Sequence, residues 1–343
     1  MLHDDIHWMT HAIELARRGG RDVRPNPQVG CVVVGSVGEV LGVGWHQQFG
    51  GPHAEVNALE GLTGMDLSQA TAYVNLEPCS YHGKTPPCAD LLIAAGVGTV
   101  VIGCLDPNPR VSGDGMQRLQ QAGIAVRPGV MEVEARALNA GFLTRMTLGR
   151  PHVTLKLAQS LDGFVAPRAG SSQWITGDAA RKRVHGMRAE VDAVITGSGT
   201  VVEDDPSLTV RHIEGPNPLR LVFDAKRRIP ANARVLTDGG PTQVVSGPVD
   251  ASGRIDLRAA LEGLPEEVLY VLVESGPTLA SAFLAAGLVD TLHMFTAPLL
   301  LGGGKPSFLD PARETLEHAL RAKDVHYEQV GADMLTTIVF RHP

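Results

Sequence analysis

Three observations predict that this chain has an α/β fold made of two successive domains. Short β-branched runs alternate with helical runs along the whole length. The 343 residues exceed the usual size of one domain, so two units with separate cores are expected. Finally, Gly149-Arg150-Pro151 breaks a long helical stretch and puts the boundary near residue 149, giving domains 1–149 and 150–343.

From the N-terminus, Ile6, Met9, Ile13 and Ala16 fall at helical spacing within 4–18, and Gly19-Gly20 stops that helix before a Pro25-Asn26-Pro27 loop. Runs 29–34 and 40–45, separated by Gly35, Ser36 and Gly38, read as a hairpin-like pair of strands. Pro52 precedes a helix opened by His53. Strand 72–76, helix 88–95, strand 99–102, helix 114–122 and strand 124–127 follow, and one helix is expected over 130–148. Beyond the break come strands at 152–158, 193–196, 220–223, 268–273 and 291–296, with helices at 179–189 and 277–286. The halves show no internal repeat, so they should do different things.

Hydrophobic residues at 43% and charged residues at 20% are an ordinary globular balance, and a net charge of −7 offers no general attraction to nucleic acid. The start, Met1-Leu2-His3-Asp4-Asp5, lacks the basic and apolar segments of a secretory signal. The most apolar stretch, 268–301, is interrupted by Glu274, Gly276-Pro277, Asp290 and His293, which argues against a membrane span. Four cysteines suit a reducing compartment and metal or catalytic use rather than a disulfide framework. A soluble cytoplasmic protein is expected.

The chemistry is concentrated in His53-Ala54-Glu55, Pro78-Cys79 and Cys88. One imidazole and two thiolates suit zinc, and three protein ligands leave the fourth tetrahedral position for water. Zinc acidifies such a water to a pKa of about 7, so a hydroxide nucleophile is available near neutral pH. Glu55, two residues beyond the histidine on a helix, turns to a different side and is placed to carry protons to a leaving amine. The set matches the zinc-deaminase pattern His-x-Glu with Pro-Cys-x-x-Cys, except that eight residues rather than two separate the cysteines. That wider loop carries His82 and Lys84 and reads as a substrate-contacting insertion. The competing reading is a closed structural zinc site, with His82 or His46 as fourth ligand and Glu55 an ordinary surface carboxylate.

In the second half no Gly-x-Gly-x-x-Gly opens a strand-to-helix unit, which leaves a Rossmann site unsupported. Three other glycine clusters, 274–279, 197–200 and 301–305, suit backbone N–H groups meeting a phosphate, although glycine also serves such turns for geometry alone. With Arg188, Arg211 and Lys305 in the same domain they point to a phosphate-bearing ligand. No nucleophile is evident, which suits cofactor chemistry such as hydride transfer.

Ordered motifs extend this reading: Pro25-Asn26-Pro27-x-Val29-Gly30, Gly50-Gly51-Pro52-His53-Ala54-Glu55, Leu76-Glu77-Pro78-Cys79-Ser80 with Gly83-Lys84-Thr85-Pro86-Pro87-Cys88, then Ser160-Leu161-Asp162-Gly163, Gln173-Trp174-Ile175-Thr176, Asp204-Asp205-Pro206 and Glu274-Ser275-Gly276-Pro277-Thr278-Leu279. Through them the chain resembles, over nearly its full length, the bifunctional deaminase/reductase family of riboflavin biosynthesis. The resemblance implies a cytidine-deaminase-like three-layer N-terminal domain and a dihydrofolate-reductase-like C-terminal domain using NADPH. It implies hydrolysis of the 2-amino group of 2,5-diamino-6-(5-phosphoribosylamino)pyrimidin-4(3H)-one to give 5-amino-6-(5-phosphoribosylamino)uracil. Reduction of the ribosyl side chain to ribityl would follow. The partner is then a phosphorylated pyrimidine, with no nucleic acid or membrane, and a homo-oligomer is expected.

Carried onto this chain, the resemblance implies that His53, Cys79 and Cys88 hold one zinc and Glu55 shuttles protons. Asn26, His46, His82 and Lys84 would line the pyrimidine and phosphate pocket. Ala158, Trp174, Thr200, Asp204, Gly276, Pro277, Thr278 and Leu279 would bind NADPH, and Ser172, Arg188, Leu208, Arg211 and Glu274 the reductase substrate. Tyr81 stands where the family usually has histidine, which makes His82 the candidate there. Lys156 or a water is open as proton source for the reduction. The alternative is another nucleobase deaminase fused to a nucleotide-binding regulatory domain. Only 4% aromatic residues and a negative charge weigh against an editing groove for nucleic acid.

Overall fold

The structure, a computed structural model, describes residues 2–81, 86–107, 113–168, 174–309 and 315–340. The chain forms two compact units, 1–149 and 150–342.

The first unit runs α1 (Leu2–Arg17), β1 (Gly30–Val34), β2 (Val40–Trp45), α2 (Ala54–Leu59), β3 (Thr71–Leu76), α3 (Cys88–Ala95), β4 (Thr99–Cys104), α4 (Asp114–Gln121), β5 (Ala125–Pro128), α5 (Glu132–Leu138) and α6 (Ala140–Leu148). Its sheet has the order β2-β1-β3-β4-β5, with β1 antiparallel to both neighbours and β3, β4 and β5 parallel. β1 is buried at every residue, as a strand covered on both faces must be. A Cβ on Gly30 would lie 2.1 Å from the Ala12 carbonyl, and one on Gly44 would lie 2.3 Å from the Ala54 carbonyl. Gly44 pairs with Cys31, the residue after Gly30, so α1 and α2 press on opposite faces and the unit has three layers. Val33, Ala58, Val74, Leu92 and Val100 belong to its core.

The single helix expected over 130–148 is two, α5 and α6, broken at Asn139. The reason lies in another segment. Asn139 Oδ1 accepts from Gln28 N at 2.8 Å, and its Nδ2 donates to Gln28 O at 2.9 Å, so the amide binds loop backbone as a neighbouring strand would.

The second unit runs β6 (His152–Ser160), β7 (Phe164–Pro167), α7 (Asp178–Glu190), β8 (Ala193–Gly197), α8 (Ser198–Asp204), β9 (Leu219–Phe223), α9 (Arg234–Thr237), β10 (Thr242–Val245), α10 (Leu257–Glu262), β11 (Tyr270–Glu274), α11 (Pro277–Ala285), β12 (Thr291–Ala297), β13 (Gly304–Pro306), β14 (Asp324–Val330) and β15 (Asp333–Val339). An eight-stranded sheet has the order β10-β9-β8-β11-β6-β12-β15-β14, parallel from β10 to β12 and closed by the antiparallel β14/β15 hairpin. β7 and β13 form a small second sheet. Arg150 and Asp290, both nearly solvent-free, make a two-pronged ion pair at 2.7 and 2.8 Å, and Asp290 also accepts from Val153 N. This ties the entry of β6 to that of β12. No helix among the described residues is long and apolar enough to cross a membrane.

Candidate functional site

His53 is the N-cap of α2 and Cys88 is the first residue of α3, so two short helices deliver an imidazole and a sulfur from their N-terminal ends. Cys79 follows β3, and its carbonyl accepts from Ala89 N while its Sγ accepts from Cys88 N at 3.3 Å. His53 Nδ1 lies 3.2 Å from Cys88 Sγ and 3.7 Å from Cys79 Sγ, and the three donor atoms fall within 4.8 Å of one another. Tetrahedral ligands with Zn–S of about 2.3 Å and Zn–N of about 2.0 Å stand roughly 3.5 Å apart, so the donor set and its spacing fit zinc. Glu55 is buried beside the cluster and is not one of its three members.

Cys79 is held down to about 4 by the hydrogen bond from Cys88 and by His53, whereas Cys88 is pushed far up by giving that bond and by burial. Burial, then the Cys79 charge, raises the Glu55 carboxyl above its ordinary range. None of the four cysteines forms a disulfide.

A solvent-open pocket of about 640 Å³ surrounds this cluster. Asn26, His46, His53, Glu55 and Cys79 line it, together with Pro27, Val29, Leu76, Glu77, Tyr81, Asp106 and Phe142. His46 Nδ1 faces the Pro52 carbonyl at 2.9 Å, so that nitrogen carries the proton, and Nε2 faces Asn26 Nδ2 at 3.1 Å as an acceptor. Burial lowers the His46 pKa, in keeping with a neutral ring. The amide nitrogen of Asn26 is thereby turned to His46 and its carbonyl oxygen is left for other partners. Tyr81 also lines the pocket. His82 and Lys84 lie outside the described residues.

Other residues that line or support this wall escaped sequence reasoning. Asn75 accepts from Gly30 N and donates to Gln28 O, and with Asn139 it fastens the loop bearing Asn26 and Val29. Glu77 and Asp106 are buried acids in the pocket. The motif containing Glu77 was visible, but nothing nearby in sequence showed what its carboxylate would meet.

In the second unit, α8 and α11 follow the C-terminal ends of the adjacent strands β8 and β11, the edge where parallel sheets bind ligands. Gly276 N donates to Thr200 Oγ1 at 3.1 Å, which joins two of the expected glycine turns. The Gly276 amide is thus already spent. The first-turn amides of Thr278 and Leu279 have no carbonyl of their own helix to bind. Thr196 Oγ1 and Ser275 Oγ are buried without partners among the described residues, and unspent polar groups of this kind fit a phosphorylated cofactor. Asp204 ends α8, and Trp174 is exposed with the Arg181 guanidinium 4.7 Å from its ring centre. Ala158 lies within β6.

Arg188 grips Glu274 through Nε and Nη2 at 2.5 and 2.9 Å and donates to the Thr209 carbonyl. Lys156 Nζ stands 3.9 Å from Glu274. Burial holds Lys156 below the ordinary lysine range, partly offset by Glu274, whereas Arg188 holds the Glu274 carboxyl down against its burial. Arg211 N donates to His185, and its side chain to Thr209 Oγ1. Leu208 is buried at a positive φ of 56° nearby. Ser172 lies outside the described residues. The glycine cluster 301–305 is not a phosphate loop: Leu301 N and Gly302 N donate to the Asp162 carboxylate, Gly304–Pro306 pairs with β7, and Lys305 pairs with Glu203.

Residues 2–104 match the family model described as the cytidine and deoxycytidylate deaminase zinc-binding region, and residues 151–336 match the RibD C-terminal domain. Riboflavin biosynthesis protein RibD of Escherichia coli (strain K12) is 43% identical, over 98% of this chain and 99% of its own length. That of Aquifex aeolicus is 40% identical, over 96% and 97%. Among solved structures, Acinetobacter baumannii RibD, form 1, is similar with a TM-score of 0.86 at 42% identity, over 99% of both chains. A diaminohydroxyphosphoribosylaminopyrimidine deaminase/5-amino-6-(5-phosphoribosylamino)uracil reductase from Thermotoga maritima has a TM-score of 0.84 at 38% identity, over 98% of this chain and 99% of that one. With the His/Cys/Cys cluster in one unit and the reductase fold in the other, the chain belongs to the RibD family of bifunctional, zinc- and NADPH-dependent deaminase/reductases of riboflavin biosynthesis.

Proposed function

We propose that the first unit removes the 2-amino group of 2,5-diamino-6-(5-phosphoribosylamino)pyrimidin-4(3H)-one as ammonia, and that the second reduces the ribosyl chain of the resulting uracil to ribityl. The observation that carries this reading is the three-donor cluster with a buried, non-ligating Glu55 beside it in an open pocket.

His53, Cys79 and Cys88 would hold the metal, which supplies an acidified water when bound. Glu55 takes the proton from the attacking water and returns it to the departing amine. Asn26 offers its carbonyl oxygen to an N–H of the pyrimidine, an orientation set by His46 and Pro52. His82 and Lys84 complete the phosphate side in this reading.

In the second unit NADPH supplies the reducing electrons. The Thr278 and Leu279 amides, with Thr196, Thr200 and Ser275, would hold its phosphates, and Ala158, Trp174 and Asp204 would contact the rest of it. Ser172, Arg188, Leu208, Arg211 and Glu274 would line the substrate side, with the arginines rather than Glu274 or Leu208 meeting the phosphate, and Lys156, beside Glu274, or a water would give up the proton. The exposed edge strand β14, with Tyr327 two-thirds exposed, supports self-association of a cytoplasmic enzyme. Light scattering of the purified chain checks the oligomer.

Incubation with the diaminopyrimidine phosphate, with and without NADPH, followed by mass spectrometry, tests both steps. The uracil should accumulate without NADPH and the ribityl product should form with it. A mass unchanged in both tubes would refute the proposal.

A further inference from the structure

Glu77 lies between β3 and the metal ligand Cys79 and is almost fully buried. Its carboxylate is spent on backbone. Oε2 accepts from Asp106 N at 3.2 Å and Gly113 N at 3.1 Å, and Oε1 accepts from Met116 N at 3.1 Å. These amides belong to the connection between β4 and α4 and to the first turn of α4, whose N-cap, Gly113, offers no side chain of its own. Glu77 therefore caps α4 from outside the helix. The approach is close: a Cβ on Gly115 would lie 2.1 Å from the Pro78 carbonyl. The same connection carries Asp106 into the pocket wall.

We propose that Glu77 is a positioning residue of the deaminase, clamping the β4–α4 connection against Pro78-Cys79 so that the wall bearing Asp106 keeps register with the metal cluster. The inference rests on the deaminase reading, and the two fail differently. If that reading is wrong, the unsubstituted chain releases no ammonia. If the clamp is wrong, the unsubstituted chain is active and Glu77 variants keep its KM.

The test uses the full-length, zinc-loaded chain and the diaminopyrimidine phosphate. Three charge-assisted bonds are lost in Glu77→Ala, so KM for deamination should rise about tenfold or more with a much smaller change in kcat. Zinc content and the reductase kinetics of the same molecule should stay unchanged, which separates positioning from unfolding. Glu77→Gln keeps an acceptor oxygen and should fall between. Gly115→Ala leaves Glu77 intact but pushes α4 away, and should reproduce the KM rise. An unchanged KM in Glu77→Ala, or a loss of zinc in place of the KM effect, would overturn the proposal.

Discussion

The two sites differ in what their polar atoms are already doing. In the first unit an imidazole nitrogen and two sulfurs converge on one point, and the residues around them are held by backbone, as Asn75, Asn139 and Glu77 show. In the second unit the charged side chains are largely spent on one another: Arg188 on Glu274, Glu274 near Lys156, and Arg220 on Asp238 and the carbonyls of Ser207 and Gly240. What remains there is a set of amides and buried hydroxyls. A metal site advertises itself by donor type, whereas a cofactor site assembled from leftover backbone donors is visible only once the chain has folded.

The largest expected effect separates the two units most sharply. Glu55→Ala should lower ammonia release by about a thousandfold, within the range of a lost general acid–base group, while metal analysis still finds zinc and the reductase rate holds. A parallel fall in both activities would erase the distinction. Next, Arg188→Ala leaves buried Glu274 with only the more distant Lys156 and should cost the second unit about 3 kcal/mol, read as a lowered calorimetric transition, with ammonia release retained below that transition. Thr200→Val removes the acceptor for Gly276 N, so NADPH affinity, measured by fluorescence titration, should weaken about tenfold.

The smallest effect is one of pH. His293 is bonded to Thr337 and held down to about 4 by burial, against an ordinary 6.5. The unfolded chain binds a proton that the folded one refuses, so stability is whole above pH 6.5 and falls as pH drops toward 4. About 1 kcal/mol should go between pH 6.5 and 5.5, and His293→Gln should flatten that slope in urea titrations.

Much of the alternation was legible because buried strands such as β1, β8 and β11 are continuous β-branched runs. The hairpin β14/β15 was not, since β14 is mostly exposed and carries His326, Tyr327, Glu328 and Gln329 rather than an apolar face. The break at Asn139 and the true role of 301–305 share one cause. Each depends on a backbone or carboxylate partner more than a hundred positions away, Gln28 in one case and Asp162 in the other, and spacing within a segment carries no trace of it. His53, Cys79 and Cys88 were readable for the opposite reason, since donor identity alone restricts what they can hold.

The order of strands also bears on how the chain is made. Every strand of the first sheet has been synthesised by residue 128, so that unit can close while much of the rest is still being made. β6 opens the second unit yet sits in the middle of its sheet, between β11 and β12, which begin only at residues 270 and 291. For most of the time that the second half is being translated, its central strand waits with both edges bare. Bare strand edges are open to mispairing, and the order of strands exposes the reductase half to this for longer than the first unit.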